Sequence, residues 1–154
     1  MKKELREEFW KSFEKSPYIM VRLEGDSGHA EPMTAQLDRD AHHQIWFYTS
    51  RHNRIAPGGR AMAQFSSKGH DVFACLSGTL AEETDQTVVD KHWNRYAETW
   101  FPGGRNDPDL LMLRMEIDNA EVWTADPGVI GRFKLLTGSK VSSDELGDHA
   151  VGLV

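Results

Sequence analysis

One turn gathers the residues best suited to binding chemistry: Thr49-Ser50-Arg51-His52-Asn53-Arg54, with two hydroxyls, one amide and two guanidiniums. It lies within thirty consecutive residues, Ala41 to His70, that contain no aspartate or glutamate, in a chain that has 24 of them. Four basic residues and no acid give this window a formal charge of +4, against −6 for the whole chain. Because arginine donates paired hydrogen bonds to phosphate, the turn is predicted to bind a phosphate-sized anion. The alternative is an ordinary solvated turn whose arginines pair with acids elsewhere.

An aromatic strand, Ile45-Trp46-Phe47-Tyr48, leads directly into this turn. An apolar wall beside an anion site suits a phosphorylated aromatic cofactor. Tryptophans are the second candidates, because such side chains hold flat ligands, although they also fill cores and subunit interfaces. Trp93 lies on an amphipathic stripe, which favours core packing, whereas Trp100 precedes a Pro-Gly-Gly break and is placed to reach a neighbouring surface.

Other chemistries have little support in the sequence. The seven histidines lack metal-ligand spacing, so no metal site is expected. The single cysteine, Cys75, lies in a strand pattern and is predicted to be a small buried apolar residue rather than a nucleophile. The acidic balance argues against a nucleic-acid partner. No apolar run reaches the ~20 residues of a membrane span and no signal peptide is recognisable, so a cytoplasmic protein without a membrane partner is expected.

Hydrophobic periodicity predicts two helices among many strands. Leu5, Phe9 and Phe13 recur every four residues, so residues 3 to 15 are expected to form a helix that ends before Pro17. A second helix is expected to begin at a cap on Thr84 or Asp85 and to stop at residues 101–104. One face of that helix would hold Val89, Trp93, Tyr96 and Trp100.

Alternating apolar residues and turn signals predict short strands along the rest of the chain. They are expected at residues 19–23, 31–37, 43–49, 60–66, 71–82, 110–117, 120–124 and 128–137. Gly78 suggests a bulge inside the longest of the first five, and Asp118-Asn119 is expected to turn the chain between two later strands. Residues 50–56 are expected to form a short helical turn.

These elements predict a mainly β fold: a six- to seven-stranded antiparallel barrel with flanking helices. A parallel sheet is not expected, because hairpin-length turns join the first strands without a crossover helix. The chain is predicted to be a single domain over residues 1–137, followed by a loosely held C-terminal tail over residues 138–154.

One segment carries a family resemblance. It runs from Trp93 through Trp100-Phe101-Pro102-Gly103-Gly104 to Asp107-Pro108-Asp109-Leu110, and a Leu-Leu-x-Leu-Arg-x-Glu strand follows. With Pro32-Met33 and the strand ending Trp-Phe-Tyr-Thr, it resembles the general stress protein 26-like branch of the pyridoxamine 5′-phosphate oxidase-related flavoproteins. The likeness spans roughly residues 5 to 125.

The resemblance implies an FMN-binding split barrel that forms a homodimer, with the flavin, FMN or FAD, in a groove between the subunits. Met33 and Thr34 would line the flavin ring, and Asn53 and Arg54 would face the phosphate. Trp100 would close the groove from the partner subunit. The remaining implied residues, at the ribityl and phosphate end, are Tyr48, Thr49 and Ser50.

Two positions depart from the family pattern. Ile55 stands where the family usually has a phosphate-binding lysine, and Glu31 stands where a basic residue often precedes Pro-Met. The first hypothesis, which rests on the acid-free window and the family resemblance, is an FMN-dependent oxidoreductase with a small-molecule electron donor or acceptor; the two departures favour the alternative that follows. The alternative is a non-enzymatic module that binds a flavin or another phosphorylated ligand in a stress response. A purely structural dimer whose tryptophans form the interface is a third.

Overall fold

The computed structural model describes residues 1–124 and 148–154 of the chain. Within them the predicted mainly β architecture is confirmed: seven antiparallel strands form one sheet with flanking helices. The elements, in chain order, are α1 (Lys3–Lys15), β1 (Tyr18–Leu23), β2 (Glu31–Thr34), β3 (Gln44–Ser50), β4 (Gly59–Ser66), β5 (Val72–Glu82), α2 (Gln86–His92), α3 (Arg95–Trp100), a short 3-10 helix (Gly104–Asn106), β6 (Leu110–Thr124) and β7 (His149–Gly152).

Helix α1 forms where apolar residues spaced four apart predict it. Its repeated residues Leu5, Phe9 and Phe13 are all buried, and the ring centroids of Phe13 and Phe65 lie 4.9 Å apart. The helix therefore covers one opening of the barrel with aromatic side chains, where large apolar groups contribute most to packing. Its polar face, which carries most of the charged residues of the segment, remains exposed.

The strands are ordered β2-β1-β4-β5-β6-β3, with β7 added beside β6. Strands β2 and β3, at the two ends of this order, meet through one antiparallel bridge between Gln36 and Trp46. Each of these two residues donates its backbone N–H to the carbonyl of the other, with N–O distances of 2.7 and 3.1 Å. The sheet thus closes into a barrel at that single point.

The sequence predicted two strands with a turn at Asp118-Asn119, and this prediction is wrong. One continuous strand, β6, runs from Leu110 to Thr124. Along the β5–β6 pair, Ser77 faces Asn119 and Gly78 faces Ile117, so Asp118 is left over. The turn-like sequence is a β-bulge, which inserts one residue without ending the strand. The bulge predicted near Gly78 is confirmed, with its extra residue on β6.

The single helix predicted after Asp85 is two short helices. Asp85 caps α2 as expected, since its side chain accepts from the backbone N–H of Thr87. The helix stops at His92, and Asn94 caps α3 by accepting from the N–H of Ala97 at 3.0 Å. Because a residue that caps a new helix adopts an extended backbone, Asn94 separates the two helices. The predicted apolar face is therefore divided.

Two further expectations differ from the structure. Residues 51–57 form successive turns rather than a helical turn, and the last residues are not a loose tail, because β7 pairs with β6 from Ala120↔Gly152 to Trp123↔His149. The strand predicted over residues 128–137 lies outside the described residues. In the part of the chain that the structure describes, no helix is long and apolar enough to cross a bilayer.

Candidate functional site

The site is built where the barrel is incomplete. In an antiparallel ladder, hydrogen-bonded pairs recur at every second residue, so the next such pair after Gln36↔Trp46 would be Thr34 with Tyr48, and the one after that would be Pro32 with Ser50. Among the described residues β2 pairs with β1, and β3 pairs with β6, with no further β2–β3 bridge. The two strands separate, and we call the space between them the β2–β3 gap. Their facing edges retain backbone groups with no strand partner.

A cavity of about 430 Å³ fills this gap. All four residues of the two interrupted pairs line it, together with side chains from the turn after β3 and from α3. The lining residues are Pro32, Met33, Thr34, Gln36, Tyr48, Thr49, Ser50, Asn53, Tyr96, Ala97, Trp100, Phe101 and Asp109. Its size falls in the range of small-molecule and cofactor sites.

The structure brings together seven of the eight residues predicted for the site. Those lining the cavity are Met33, Thr34, Tyr48, Thr49, Ser50, Asn53 and Trp100. The eighth, Arg54, follows the lining residue Asn53 in the chain but is not itself part of the lining. Ile55, at the position of the family lysine, is 1% exposed in the core. The Ile55 side chain thus packs in the core and is not among the residues that line the cavity.

The arginines of the acid-free window do not leave an uncompensated positive field. Arg51 pairs with Glu82 at 2.9 Å, and Arg54 pairs with Glu31 at 2.6 Å. Arg60 pairs with Asp118 of the β6 bulge. Carboxylates from outside the window thus neutralise all three guanidiniums, as the alternative interpretation of the turn proposed.

Asp109 is a lining residue that the sequence analysis missed as part of the site. Its carboxylate accepts a hydrogen bond from the Ser50 hydroxyl at 2.9 Å and lies 3.6 Å from the imidazole of His52. Its backbone carbonyl accepts from the N–H of Arg51. The signal was present in the Asp107-Pro108-Asp109 stretch, but only the fold brings that stretch to the turn after β3. The cavity therefore holds a carboxylate where the sequence predicted cations.

The phenol of Tyr48 lies in the wall of the cavity, but its hydroxyl points elsewhere. It donates to the backbone carbonyl of Val89 in α2 at 2.5 Å, and its ring makes an edge contact with Trp93 at 5.5 Å. Burial raises the pKa of Tyr48 well above its ordinary value, with the nearby Asp90 as a second cause. The hydroxyl therefore stays protonated, and its hydrogen bond links β3 to α2.

Helix α3 supplies the aromatic cover of the cavity. Buried Ala97 anchors the helix, while Tyr96 and Trp100 are 55% and 64% exposed and have ring centroids 6.3 Å apart. The family resemblance implied that Trp100 closes the groove from the partner subunit. In the single chain, Trp100 lines the cavity of its own subunit.

A second cavity, of about 520 Å³, lies between α1 and the loop before β3. Charged side chains at its edge are occupied with one another: Arg39 donates two hydrogen bonds to Glu14, both at 2.9 Å, and Lys91 pairs with Asp38. None of the eight predicted site residues lines it. Although it is larger, the β2–β3 gap has the open strand edges and the aromatic cover of a binding site.

Helix α2 covers a small cluster that supports β3 from outside. Trp46 is 4% exposed, and its ring stacks on His92 with centroids 5.0 Å apart. The indole Nε1 and the imidazole Nε2 are buried without a hydrogen-bond partner. Burial lowers the pKa of His92, the neighbouring Lys91 lowers it further, and Asp38 and Glu83 act in the opposite direction. The folded state therefore favours the neutral ring.

Acid is expected to destabilise the protein through this histidine. The unfolded chain binds a proton at His92 near its ordinary pKa of 6.5, while the folded chain does so only at lower pH. Stability is therefore present above that value and is lost as the pH falls through it. The thermal midpoint of the wild type should fall more between about pH 7.5 and about pH 5.5 than that of His92→Gln. Parallel curves would show that His92 contributes nothing.

The outer face of the sheet exposes large apolar side chains on β1 and β5, on either side of the polar residues Gln64 and Ser66 of β4, and it adjoins the gap. The register places Pro32 beside Met20, and Phe73 beside Trp123. We call this the outer apolar face; its exposed members are Tyr18, Met20, Phe73, Trp123 and Val151. A cluster of exposed large apolar side chains is a candidate surface for binding another protein.

Comparison with known proteins agrees with this geometry. Residues 4–145 match the family described as pyridoxamine 5′-phosphate oxidase like. The chain belongs to the pyridoxamine 5′-phosphate oxidase-like family. The match covers most of the chain, so the resemblance inferred from the sequence is confirmed. Among curated proteins, none has a matching sequence.

Solved structures of this family share the fold. The general stress FMN/FAD binding protein of Xanthomonas citri is 44% identical, with 83% of this chain and 94% of that chain covered and a TM-score of 0.75. A candidate general stress protein 26 from Jannaschia sp. CCS1 is 28% identical, with 98% and 99% covered and a TM-score of 0.80. General Stress Protein 26 from Bacillus anthracis, at 16% identity, covers 77% and 93% with a TM-score of 0.64 and supports the fold alone.

Proposed function

We propose that this chain binds a flavin, FMN or FAD, in the β2–β3 gap. The observation that carries the proposal is the interrupted ladder: Thr34↔Tyr48 and Pro32↔Ser50 would pair, yet line a cavity instead. The polar edge of a flavin ring alternates acceptors with an N–H donor, which complements backbone groups on open strand edges. The 44%-identical protein from Xanthomonas citri is named for FMN/FAD binding, which supports the same ligand class.

We propose further that two copies of the chain enclose the ligand as a homodimer. The outer apolar face begins at the strands that border the gap, since Pro32 and Thr34 pair with Met20 and Tyr18 of β1. A second copy seated on this face would remove apolar side chains from water and would narrow the open side of the cavity. Such an assembly accounts for Tyr18 and Phe73, which a monomer would leave in solvent.

The reaction proposed for this site is oxidoreduction with a small-molecule electron donor or acceptor. A bound flavin would supply the electron-transfer chemistry. The chain's own residues would bind and orient it, with Trp100 and Tyr96 excluding water from one side. Asp109 is the one carboxylate in the described lining and is held by Ser50, and Tyr48 retains its proton. Tyr48 has no acid–base partner among the described lining residues, and the imidazole beside Asp109, that of His52, is 91% exposed and lies outside the lining.

The alternative, a non-enzymatic flavin-binding module, is favoured by the same shortage of acid–base groups. A measurement of catalytic turnover distinguishes the two functions. An oxidoreductase should use NADPH or another donor to reduce its flavin well above the rate of free FMN. A module should bind the flavin with no such acceleration.

Flavin binding itself is tested by titration. The purified protein should show flavin absorbance, or should quench FMN fluorescence saturably when titrated after removal of any bound flavin. Thr34→Phe places a large side chain in the gap and should weaken binding about tenfold or more. Ala41→Phe makes the matched change in the second cavity and should leave binding unchanged. No response of the wild type to FMN, FAD or riboflavin would refute the proposal.

A further inference from the structure

One ion pair stands at the rim of the gap. Arg54 and Glu31 are joined at 2.6 Å, and a second guanidinium nitrogen of Arg54 donates to the backbone carbonyl of His29 at 3.1 Å. Each partner is next in the chain to a lining residue, Glu31 to Pro32 and Arg54 to Asn53. The pair therefore ties the turn after β3 to the start of β2, directly beside the cavity.

The Arg54–Glu31 pair determines which charged groups are available to a ligand in the gap. Both arginines of the turn follow a lining residue in the chain, Arg51 after Ser50 and Arg54 after Asn53. Arg51 pairs with Glu82, and the guanidinium of Arg54 is directed at Glu31 and His29. Within the described lining the one ionised side chain is the carboxylate of Asp109. A phosphate ester entering this end of the gap would meet hydroxyls and an amide but no unpaired cation, and would lie near a like charge.

We propose that Glu31 is a specificity-determining residue that withholds Arg54 from the ligand, so that the site recognises the ring and polyol of a flavin more than its phosphate. The inference rests on the proposed flavin function and deepens it. The hydroxyls of a ribityl chain can donate to Asp109, whereas a phosphate cannot. In the wild type, riboflavin and FMN therefore bind with similar affinity, within about fivefold of each other.

The test is a binding cycle with two ligands. Affinities for FMN and for riboflavin are measured on the full chain for the wild type, Glu31→Gln, Arg54→Ala and the double variant. Glu31→Gln keeps the size of the side chain and releases the guanidinium. It should raise FMN affinity about tenfold, the effect of one charge-assisted hydrogen bond. Riboflavin affinity should not change, and the double variant should lose the gain.

A matched control separates this effect from net charge. Glu14→Gln breaks another arginine pair, that of Arg39 on the far side of α1, and changes the charge by the same amount. It should leave both affinities unaltered. An equal gain in FMN affinity with Glu14→Gln would overturn the proposal, because the effect would be general electrostatics.

The remaining outcomes are also decisive. If the wild type binds FMN far more tightly than riboflavin, or if Arg54→Ala alone weakens FMN binding tenfold, Arg54 already contacts the phosphate and the inference fails while the proposed function stands. If Glu31→Gln binds FMN no better than the wild type, Glu31 has no such role. If neither flavin binds any of these proteins, the proposed function fails and this inference fails with it.

Discussion

Phe73→Asp is expected to convert the proposed dimer into a monomer and to remove most of its proposed flavin binding. Phe73 is 38% exposed on the outer apolar face, opposite Trp123 of β6 and Ser66 of β4. In a twofold-symmetric dimer the substitution places two unpaired carboxylates in one interface. Such a change costs several kcal/mol, so dimerisation should weaken by about a hundredfold or more.

The measurement is size-exclusion chromatography with light scattering, followed by flavin titration of the same samples. Thr79→Asp is the matched control: it adds one carboxylate to an exposed position of the same strand, roughly 20 Å from Phe73 at the rise of a β-strand. It should remain dimeric. A dimeric Phe73→Asp protein would reject this face as the interface. A monomer with full flavin affinity would place the ligand entirely within one subunit.

Gly78→Ala is expected to lower the free energy of unfolding by about 3 kcal/mol or more, at the upper end of overpacking effects. A Cβ atom at this position would lie 2.1 Å from the backbone carbonyl oxygen of Glu116 and 3.1 Å from the Cα of Ile117. Both atoms belong to the strand paired with β5, so neither can move without breaking the ladder at the bulge.

Urea unfolding followed by tryptophan fluorescence measures this loss. Gly28→Ala is the control, because its added Cβ would meet only the side chain of Asp26, 3.3 Å away. A surface change of that kind should stay within about 0.5 kcal/mol. Equal midpoints for Gly78→Ala and the wild type would mean that the bulge can open at no cost, contrary to the packing described here.

The sequence was sufficient for the fold class because local patterns determine it. The apolar residues that recur every four positions in α1, and those that alternate with polar ones in β1, each mark the face that is buried. The wrong predictions of element boundaries arose where one local sequence pattern is compatible with two structures. Asp118-Asn119 has the composition of a turn, but its pairing with β5 makes it a bulge. Asn94 lies within an apolar pattern typical of one helix, so the sequence does not show that its side chain caps a separate helix, α3.

The site was predictable in part, for a related reason. The turn after β3 and the Pro-Met strand are recognisable, and seven of the eight predicted residues line the gap. The charge of the site was not predictable from a window of sequence. Glu31, Glu82 and Asp118 reach the arginines from three other strands or strand ends, and only the register of the sheet brings them there. An acid-free segment therefore does not establish a positive surface.

The Gln36–Trp46 bridge also bears on how the protein avoids edge-to-edge aggregation of its strands. Beyond it, two backbone edges stand open, and an open edge invites strands from other chains to pair with it and to build fibres. Pro32 offers no N–H at the second hydrogen-bonded position beyond the bridge, after Thr34, and the Glu31–Arg54 ion pair lies beside it. Pro32, which lines the candidate site, therefore also hinders the pairing of another polypeptide with this open edge.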